Sequence, residues 1–457
     1  MTRRFMVDDS WFRPRNRRLI IAGSPLRMFR VTPQGSAIAD ALENGSDLPA
    51  GHERLTDRLR AAGAIHPVPL VDIPAGAITV VIPTFVSSDA DAHRLDQLVT
   101  SLAPHPILVI DDASPLQFQV EGATVVRRSQ NGGPGAARNS AMNVITTPYV
   151  AFVDDDVTIS SETIRTAAAH CAQGAALCAP RVRDAGAWFP RPTIVSRYEC
   201  ARSPLDLGPK PARVQALTRV SYVPAAALVM QTDSLRRING FDETMRVGED
   251  VDLVWRLSTN HECRYEPAVV AYHYSRSSIR AFMRQRIAYG SSAAPLSRRH
   301  GLAVSPYSSN VLLFCMALSA AIGYFRASVL FASVHMLYIT GSLTRAGDNI
   351  GHAVRIAARS ALHTLRLFAD ALTRVWLFPY LPLVAIFPIC RWILLASFVA
   401  PGAYEWFRSR TVNPVSYLVL RSIDNVSYCV GVWRGIFAAH TWRCLLPRIT
   451  PLRQRAR

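Results

Sequence analysis

Lysine is almost absent from this 457-residue chain: Lys210 is the single one, and every other basic side chain among the 51 Lys and Arg is arginine. Codon composition alone produces such a bias, so it carries no mechanism. Acid is scarce in a more telling way. Residues 271–457 hold 22 arginines against only Asp348, Asp370, Glu405 and Asp424, whereas residues 1–270 balance 29 basic with 29 acidic side chains. The formal net charge of +18 therefore sits wholly in the C-terminal part. That split predicts a neutral part that does chemistry and a basic part that meets an anionic surface. Eight cysteines show no metal-ligand spacing, which excludes a cysteine-held metal centre, and the charged Met1–Phe12 start has no apolar core of the kind a signal peptide needs. The expectation is a protein kept in the reducing cytoplasm.

Also missing is an unbroken apolar run of the roughly 20 residues that a clean membrane span takes. Val311–Phe325 and Ala327–Leu343 are split by Arg326, and Val375–Cys390 and Trp392–Ala400 by Arg391, with Pro379, Pro382 and Pro388 inside. With 49% hydrophobic residues and a positive mean hydropathy, these segments predict interfacial or re-entrant helices on an anionic membrane surface, their arginines snorkelling to headgroups. A tilted span and a buried helical packing domain are the alternatives. Nucleic-acid binding fits the charge but not the apolar runs, so no nucleic-acid partner is expected.

What the chain does have is Val150–Val157, Val-Ala-Phe-Val-Asp-Asp-Asp-Val. The apolar run reads as a buried strand, and its three carboxylates fall where a parallel α/β sheet presents its ligand site. Three adjacent carboxylates repel, and a hard divalent cation such as Mg²⁺ or Mn²⁺, which also accepts phosphate oxygens, relieves them. A solvated acidic turn is the bland reading. Two further β-branched runs, Ala77–Ile82 and Ile107–Ile110, end in Pro83-Thr84 and in Asp111-Asp112-Ala113-Ser114, with a helix around Leu95–Leu102 between them. Strands alternating with helices predict a parallel, doubly wound sheet that puts these closures on one edge. Asn131-Gly132-Gly133-Pro134-Gly135-Ala136-Ala137-Arg138-Asn139 is a glycine turn into a helix whose start favours phosphate. No Gly-Lys-Ser/Thr follows, so it is not a Walker loop.

Ahead of this, residues 1–72 read as a separate α+β unit. Leu19-Ile20-Ile21 and Met28–Val31 suggest strands about Gly23-Ser24-Pro25, followed by helices Gln34–Leu42 and Glu53–Ala62. Strand, strand, helix, helix resembles in pattern the small winged-helix peptide-binding domains that accompany ribosomal-peptide modification enzymes; a plain packing subdomain is the alternative. The expected division is 1–72, a catalytic domain at 77–290, and a basic helical region at 291–457.

Five motifs in order carry a family resemblance: Val80-Val81-Ile82-Pro83-Thr84, Val109-Ile110-Asp111-Asp112-Ala113-Ser114, Asn131–Asn139, Phe152-Val153-Asp154-Asp155-Asp156, and Gly248-Glu249-Asp250-Val251-Asp252-Leu253-Val254-Trp255-Arg256. The series resembles the inverting family-2 glycosyltransferases of GT-A fold, and Gly23–Arg27 with the basic C-terminal third is similar to the glycosyltransferases of mycofactocin systems. The resemblance implies a UDP-glucose donor, a peptide-derived or glycan acceptor and a β-linked product. It gives Pro83, Thr84, Asp111, Asp112, Asn131, Gly133, Arg138, Asp154 and Asp155 to the nucleotide-sugar, and Asp154, Asp156 and His273 to the metal. Asp250 is implied as the general base, with Glu249 and Trp255 shaping the acceptor site. Read without the family, Asp250 is an ordinary helix-start carboxylate and His273 a packed strand-end histidine. Arg276, Arg280, Arg284 and Arg286 are candidates to screen the leaving group. Gln285-Arg286-Ile287 departs from the Gln-x-x-Arg-Trp of processive synthases, which disfavours a synthase channel. Alternatives are a cell-wall or polyprenol-linked sugar transferase and, in another class, a non-catalytic peptide-binding membrane scaffold.

Overall fold

A computed structural model describes residues 4–14, 17–186, 192–275 and 277–452. Strand β1 (Phe5–Val7) opens the chain, β2 (Leu19–Ala22) and β3 (Arg27–Arg30) form a hairpin, and helices α1 (Pro33–Asn44) and α2 (Glu53–Ala61) follow. Thr32 caps α1 by accepting from the Gly35 amide, with Pro33 in its first turn. Strand β4 (Ile65–Pro67) then returns antiparallel to β1. Ile20, Phe29, Ile38, Leu42, Leu59 and Ile65 close a core of their own. The strand, strand, helix, helix order is present, framed by two three-residue strands too short to leave a periodic signal.

The sheet domain runs β5 (Ile78–Thr84), α3 (Asp89–Ser101), β6 (Ile107–Asp111), β7 (Thr124–Arg127), α4 (Pro134–Ser140), β8 (Tyr149–Val153), β9 (Val157–Thr158), α5 (Ser161–Ala172), β10 (Leu177–Asp184), α6 (Ile194–Arg202), β11 (Ala212–Val214), β12 (Ala227–Gln231), α7 (Thr232–Arg237), α8 (Glu249–Ser258) and β13 (Cys263–His273). Among the described residues nine strands form one mixed sheet in the order β11-β13-β10-β12-β8-β5-β6-β7, with β9 added against β13. Strand β5 is buried along its whole length, as its unbroken Ile-Thr-Val-Val-Ile run requires of a strand covered on both faces. The expected parallel pairing holds for β8, β5, β6 and β7. It fails at β12, which lies antiparallel to both β8 and β10. An apolar run such as Ala-Leu-Val-Met has no direction written in it, so its pattern fits either pairing.

Residues 4–13, 17–186 and 202–275 make one compact unit, so the N-terminal α+β part packs with the sheet domain. Buried polar groups join them. Asp8 accepts from His66 Nε2 at 2.9 Å and from Arg219 Nη2 at 2.9 Å, while Arg264 on β13 donates to His66 Nδ1 at 3.1 Å. Burial holds His66 below its usual range, consistent with a neutral ring that donates through one nitrogen and accepts through the other. Burial would raise Asp8, but the bonds from His66, Arg219 and Ser10 hold it well below the carboxylate range.

Pro14, residues 192–201 and residues 277–452 form the second unit. The boundary falls near 276, not 290, because α9 (Ile279–Ser291) packs along a distant helix of that unit. After α9 come α10 (Ala293–His300), β14 (Ser308–Asn310), α11 (Val311–Ala321), α12 (Phe325–Arg345), α13 (Ile350–Arg374), α14 (Leu377–Ile386), α15 (Pro388–Ser409), α16 (Pro414–Ala439) and β15 (Arg448–Thr450). The five carboxylates of the described part of this unit, Glu199 among them, are paired internally. Arg421, 1% exposed, pairs with Asp370 at 2.5 Å and Glu405 at 3.0 Å; Asp424 meets Arg286 at 3.2 Å and Arg374 at 3.4 Å; Asp348 meets His352 at 2.8 Å. Arg286, expected near a leaving group, is instead buried against Glu199 and Asp424. Arg276 lies outside the described residues. Helix α12, 21 residues, is long and apolar enough to cross a membrane, and α13 with α14 reaches that standard only as a pair bent by 93°. Leu330 and Leu337 of α12 and Trp392 of α15 are more than 60% exposed.

Candidate active site

Three consecutive carboxylates leave β8 in three directions. The Asp154 amide donates to the carbonyl of Ala226, the residue just before β12, and Val157 N returns to Asp154 O at 3.1 Å, closing a turn into β9. Strand β9 pairs Val157 with His273 and Thr158 with Tyr272, which is what brings the end of β13 to the triad. Asp154 Oδ1 then accepts from Arg138 Nη2 at 2.6 Å, Asp155 Oδ2 from Thr84 Oγ1 at 2.5 Å, and Asp156 Oδ2 lies 3.3 Å from His273 Nε2. Burial pushes Asp154 up against the pull of Arg138, with Asp156 adding repulsion. Burial, with Asp156 and Asp154 adding to it, pushes Asp155 up to about 6 despite the Thr84 bond. The turn thus concentrates more negative charge than its surroundings neutralise.

The glycine loop is held from β6. Asp112 accepts from Gly132 N at 2.9 Å and Gly133 N at 2.8 Å and pairs with Arg128 at 2.9 Å, while Asn131 Nδ2 reaches the Asp112 carbonyl at 3.1 Å. Asp111 is buried, accepting from Ser114 N and Arg127 Nη1, both at 2.8 Å. Of the two carboxylates that the family resemblance gives to the nucleoside, Asp112 is therefore also the one that shapes the loop. Gly133 is the N-cap of α4 with φ of 86°, a left-handed value that side chains rarely adopt. Pro134 fixes the first turn, and α4 carries Arg138 inward.

Arg138 is the bridge of the site. It is 3% exposed, donates to Asp154 and, through Nη1 at 3.0 Å, to Glu249 Oε1, and lies 5.3 Å from the centre of the Phe241 ring. Glu249 and Asp250 occupy the first turn of α8 after Gly248, whose φ is 83°. Asp250 Oδ1 accepts from Val251 N at 2.8 Å and Oδ2 from Ala225 N at 3.4 Å. Burial pushes Asp250 up, and burial with the Asp250 charge pushes Glu249 up to about 7. One buried arginine thus joins two carboxylate clusters in which Asp154, Asp155, Glu249 and Asp250 are all pushed up. Trp255 does not present an open indole face: it is 8% exposed, with Nε1 donating to the Ser221 carbonyl at 2.7 Å. Its position on the buried side of α8, with Leu253, Val254 and Leu257, accounts for this. Pro83 lies in the buried end of β5 beside Thr84.

Sequence reasoning missed Arg128, Phe241 and the Ala225-Ala226 backbone. None stands in a motif; Arg128 follows the edge strand β7 and offered only its charge as a signal.

Residues 79–230 match the family described as Glycosyl transferase family 2. Over 456 residues the chain is 33% identical to the pre-mycofactocin glycosyltransferase of Mycobacterium tuberculosis, in strains CDC 1551 / Oshkosh and ATCC 25618 / H37Rv, with 94% of both chains covered. A 100-residue stretch, 19% of this chain and 16% of the other, is 35% identical to a poly(ribitol-phosphate) beta-glucosyltransferase of Bacillus spizizenii. Among solved structures, the mannosyltransferase PcManGT from Pyrobaculum calidifontis in complex with GDP-Man and Mn²⁺ aligns with a TM-score of 0.39 at 16% identity, covering 82% of this chain and 93% of that one. S. aureus TarS 1–349 in complex with UDP-GlcNAc aligns with a TM-score of 0.35 at 16% identity, covering 63% and 92%. A third of all positions shared with one relative across nearly the full length of both, on a sheet whose strand ends gather Thr84, Asp112 and Asp154, means that the chain belongs to glycosyltransferase family 2.

Proposed function

We propose that this enzyme is an inverting, metal-dependent transferase that moves glucose from UDP-glucose to a hydroxyl of the peptide-derived redox cofactor mycofactocin or its precursor, at the cytoplasmic face of the membrane. The long relative's name supports the acceptor. The observation that carries the chemistry is Arg138, which ties Asp154 at the β8 end to Glu249 at the start of α8 and so puts the triad and Asp250 in one site.

In this reading the nucleoside lies over Pro83, Thr84, Asp111 and Asp112, and the diphosphate faces Asn131, Gly133 and the triad. Arg138 already serves two carboxylates, so it has little charge to spare for a diphosphate. The surplus of negative groups and the Asp156–His273 pair fit a divalent cation, Mg²⁺ or Mn²⁺, held by Asp154, Asp156 and His273. Among the described residues no three such groups stand together as a metal site. When bound, the ion neutralises the charge that grows on the leaving diphosphate. Asp250 takes the proton from the acceptor hydroxyl as that oxygen attacks the anomeric carbon from the face opposite the nucleotide. The new C–O bond is β, the bond to the diphosphate oxygen breaks, and UDP leaves. Glu249 borders the acceptor, with Trp255 supporting α8 from its buried side.

The test is incubation of purified protein with a panel of nucleotide-sugars, the cofactor precursor and Mn²⁺ or Mg²⁺, with product masses read by mass spectrometry. A hexose added from UDP-glucose, lost on chelation, is the expected result. Transfer that is indifferent to chelator would remove the metal, and a different preferred donor would remove glucose.

A further inference from the structure

In the second unit, α9 and α16 touch backbone to backbone. A Cβ on Gly431 would collide with the Ile287 carbonyl oxygen, one on Gly435 with that of Ser291, and one on Gly290 with that of Tyr428. Beside this seam lies a groove of about 610 Å³ lined by Ile287, Ala288, Ser291, Pro295, Gly435 and Ala438, together with Arg284 and Arg434. That volume is within the roughly 300–1,000 Å³ range of small-molecule sites. Both arginines are exposed. Neither has a hydrogen bond or ion pair among the described residues, in a unit whose own acids are already committed to other basic groups. Phe437 is 63% and Trp442 53% exposed, and Trp442 meets both Phe437 and Trp433 edge to face at the same end of α16.

We infer that this groove binds the anionic headgroup of a membrane phospholipid, the phosphate meeting Arg284 and Arg434 and the start of the acyl chains lying on the apolar floor. Small side chains make a floor that an alkyl chain fills, and unpaired guanidinium groups favour a phosphate diester. Exposed Trp and Phe next to such a site are what membrane interfaces select. The inference rests on the membrane part of the proposed function and narrows it from a diffuse basic surface to one site.

The test uses the full chain, with phosphatidylglycerol and phosphatidylcholine as probes. Native mass spectrometry is expected to show one retained phosphatidylglycerol per chain and no comparable retention of phosphatidylcholine. Retention should fall roughly tenfold or more in the Arg284→Gln, Arg434→Gln double variant, which loses two contacts worth about tenfold or less each. Ala438→Phe keeps both charges but fills the groove, and should lose the lipid as well. Arg355→Gln with Arg359→Gln, two exposed arginines on α13, removes the same charge elsewhere and should leave retention unchanged. Thermal melting checks that each variant is folded. Equal loss in both double variants, or retention in Ala438→Phe, overturns the groove; displacement by millimolar inorganic phosphate alone overturns the lipid in favour of a soluble anion. Failure of the parent protein to float with phosphatidylglycerol vesicles would instead refute membrane attachment itself.

Discussion

Arg138 is enclosed by Asp154, Glu249 and the Phe241 ring, and removing one partner of a buried ionic group leaves the others uncompensated at a cost of about 3–5 kcal/mol. Arg138→Met is therefore expected to destabilise the sheet unit by that order in urea unfolding, and Arg138→Lys to restore only part, since one ammonium lacks the fork that serves two carboxylates. A loss below about 1 kcal/mol would mean that the bridge is not stabilising. Asp250 has the opposite profile. Asp250→Asn keeps size and, through its one oxygen, the 2.8 Å contact from the Val251 amide, giving up the longer one from Ala225 N, and cannot take a proton. Transfer should fall by roughly 10²- to 10⁴-fold with donor affinity nearly intact. If Asp250 merely starts α8, asparagine serves as well and activity barely changes. The next carboxylate along, Asp252, is 0% exposed and paired with Arg256 at 2.7 Å, which leaves Glu249 as the competing base. The pH profile follows from the same burial. A base works ionised, and burial raises Asp250 and takes Glu249 to about 7. Transfer should hence decline as pH falls, with a midpoint above the ordinary carboxylate range that belongs to the pair jointly. An acid limb near pH 4 would contradict this.

At the scale of elements, the strands with unbroken β-branched runs were legible: β5, β6 and β8 stand where Ala77–Ile82, Ile107–Ile110 and Val150–Val153 placed them, within a few residues. So were the carboxylates at their ends, since a strand that is buried throughout must release its polar residues at the edge. The direction of β12 was not legible, because a hydrophobic pattern fixes faces and not polarity. Nor was the pairing of two-residue β9 with β13, which together with the Tyr274 amide bond to the Asp156 carbonyl carries His273 to the triad. The burial of Trp255 was readable in principle: it follows Leu253 and Val254 on one stretch of α8, and only the resemblance argued for an exposed ring. The α9–α16 seam left no motif at all, merely three glycines 141 and more residues apart from Gly290 to Gly431 and Gly435. It makes a sharp prediction. Gly431→Ala adds one methyl against the Ile287 backbone, which cannot swing aside as a side chain would, so the helices must separate. The expected loss is about 1–3 kcal/mol or more, seen as a lowered melting temperature. A neutral or stabilising effect, as alanine gives in an unconstrained helix, would show that the seam is looser than described.

Over the second unit, charge and apolar exposure coincide: it spends its own few acids internally and, Arg286 and Arg421 apart, shows most of its arginines, together with Leu330, Leu337, Trp392, Phe407 and Phe437, on the outside. These two features respond differently to salt, and that separates two modes of attachment. Attraction of exposed arginines to anionic headgroups acts over a Debye length, about 10 Å at 0.1 M salt but about 3 Å at 1 M. Apolar side chains already inserted are held by burial, which salt does not weaken. Protein added to phosphatidylglycerol vesicles at about 1 M salt should therefore bind much less than at about 0.1 M, because the approach is electrostatic. Protein bound first at low salt and then washed at about 1 M should stay in the floated fraction and leave only with detergent. Complete release by the salt wash would reduce the attachment to charge alone, with the exposed apolar helices facing something other than lipid. Equal binding at both salt concentrations would assign the attachment to the apolar surface and leave the arginine excess without a role in reaching the membrane.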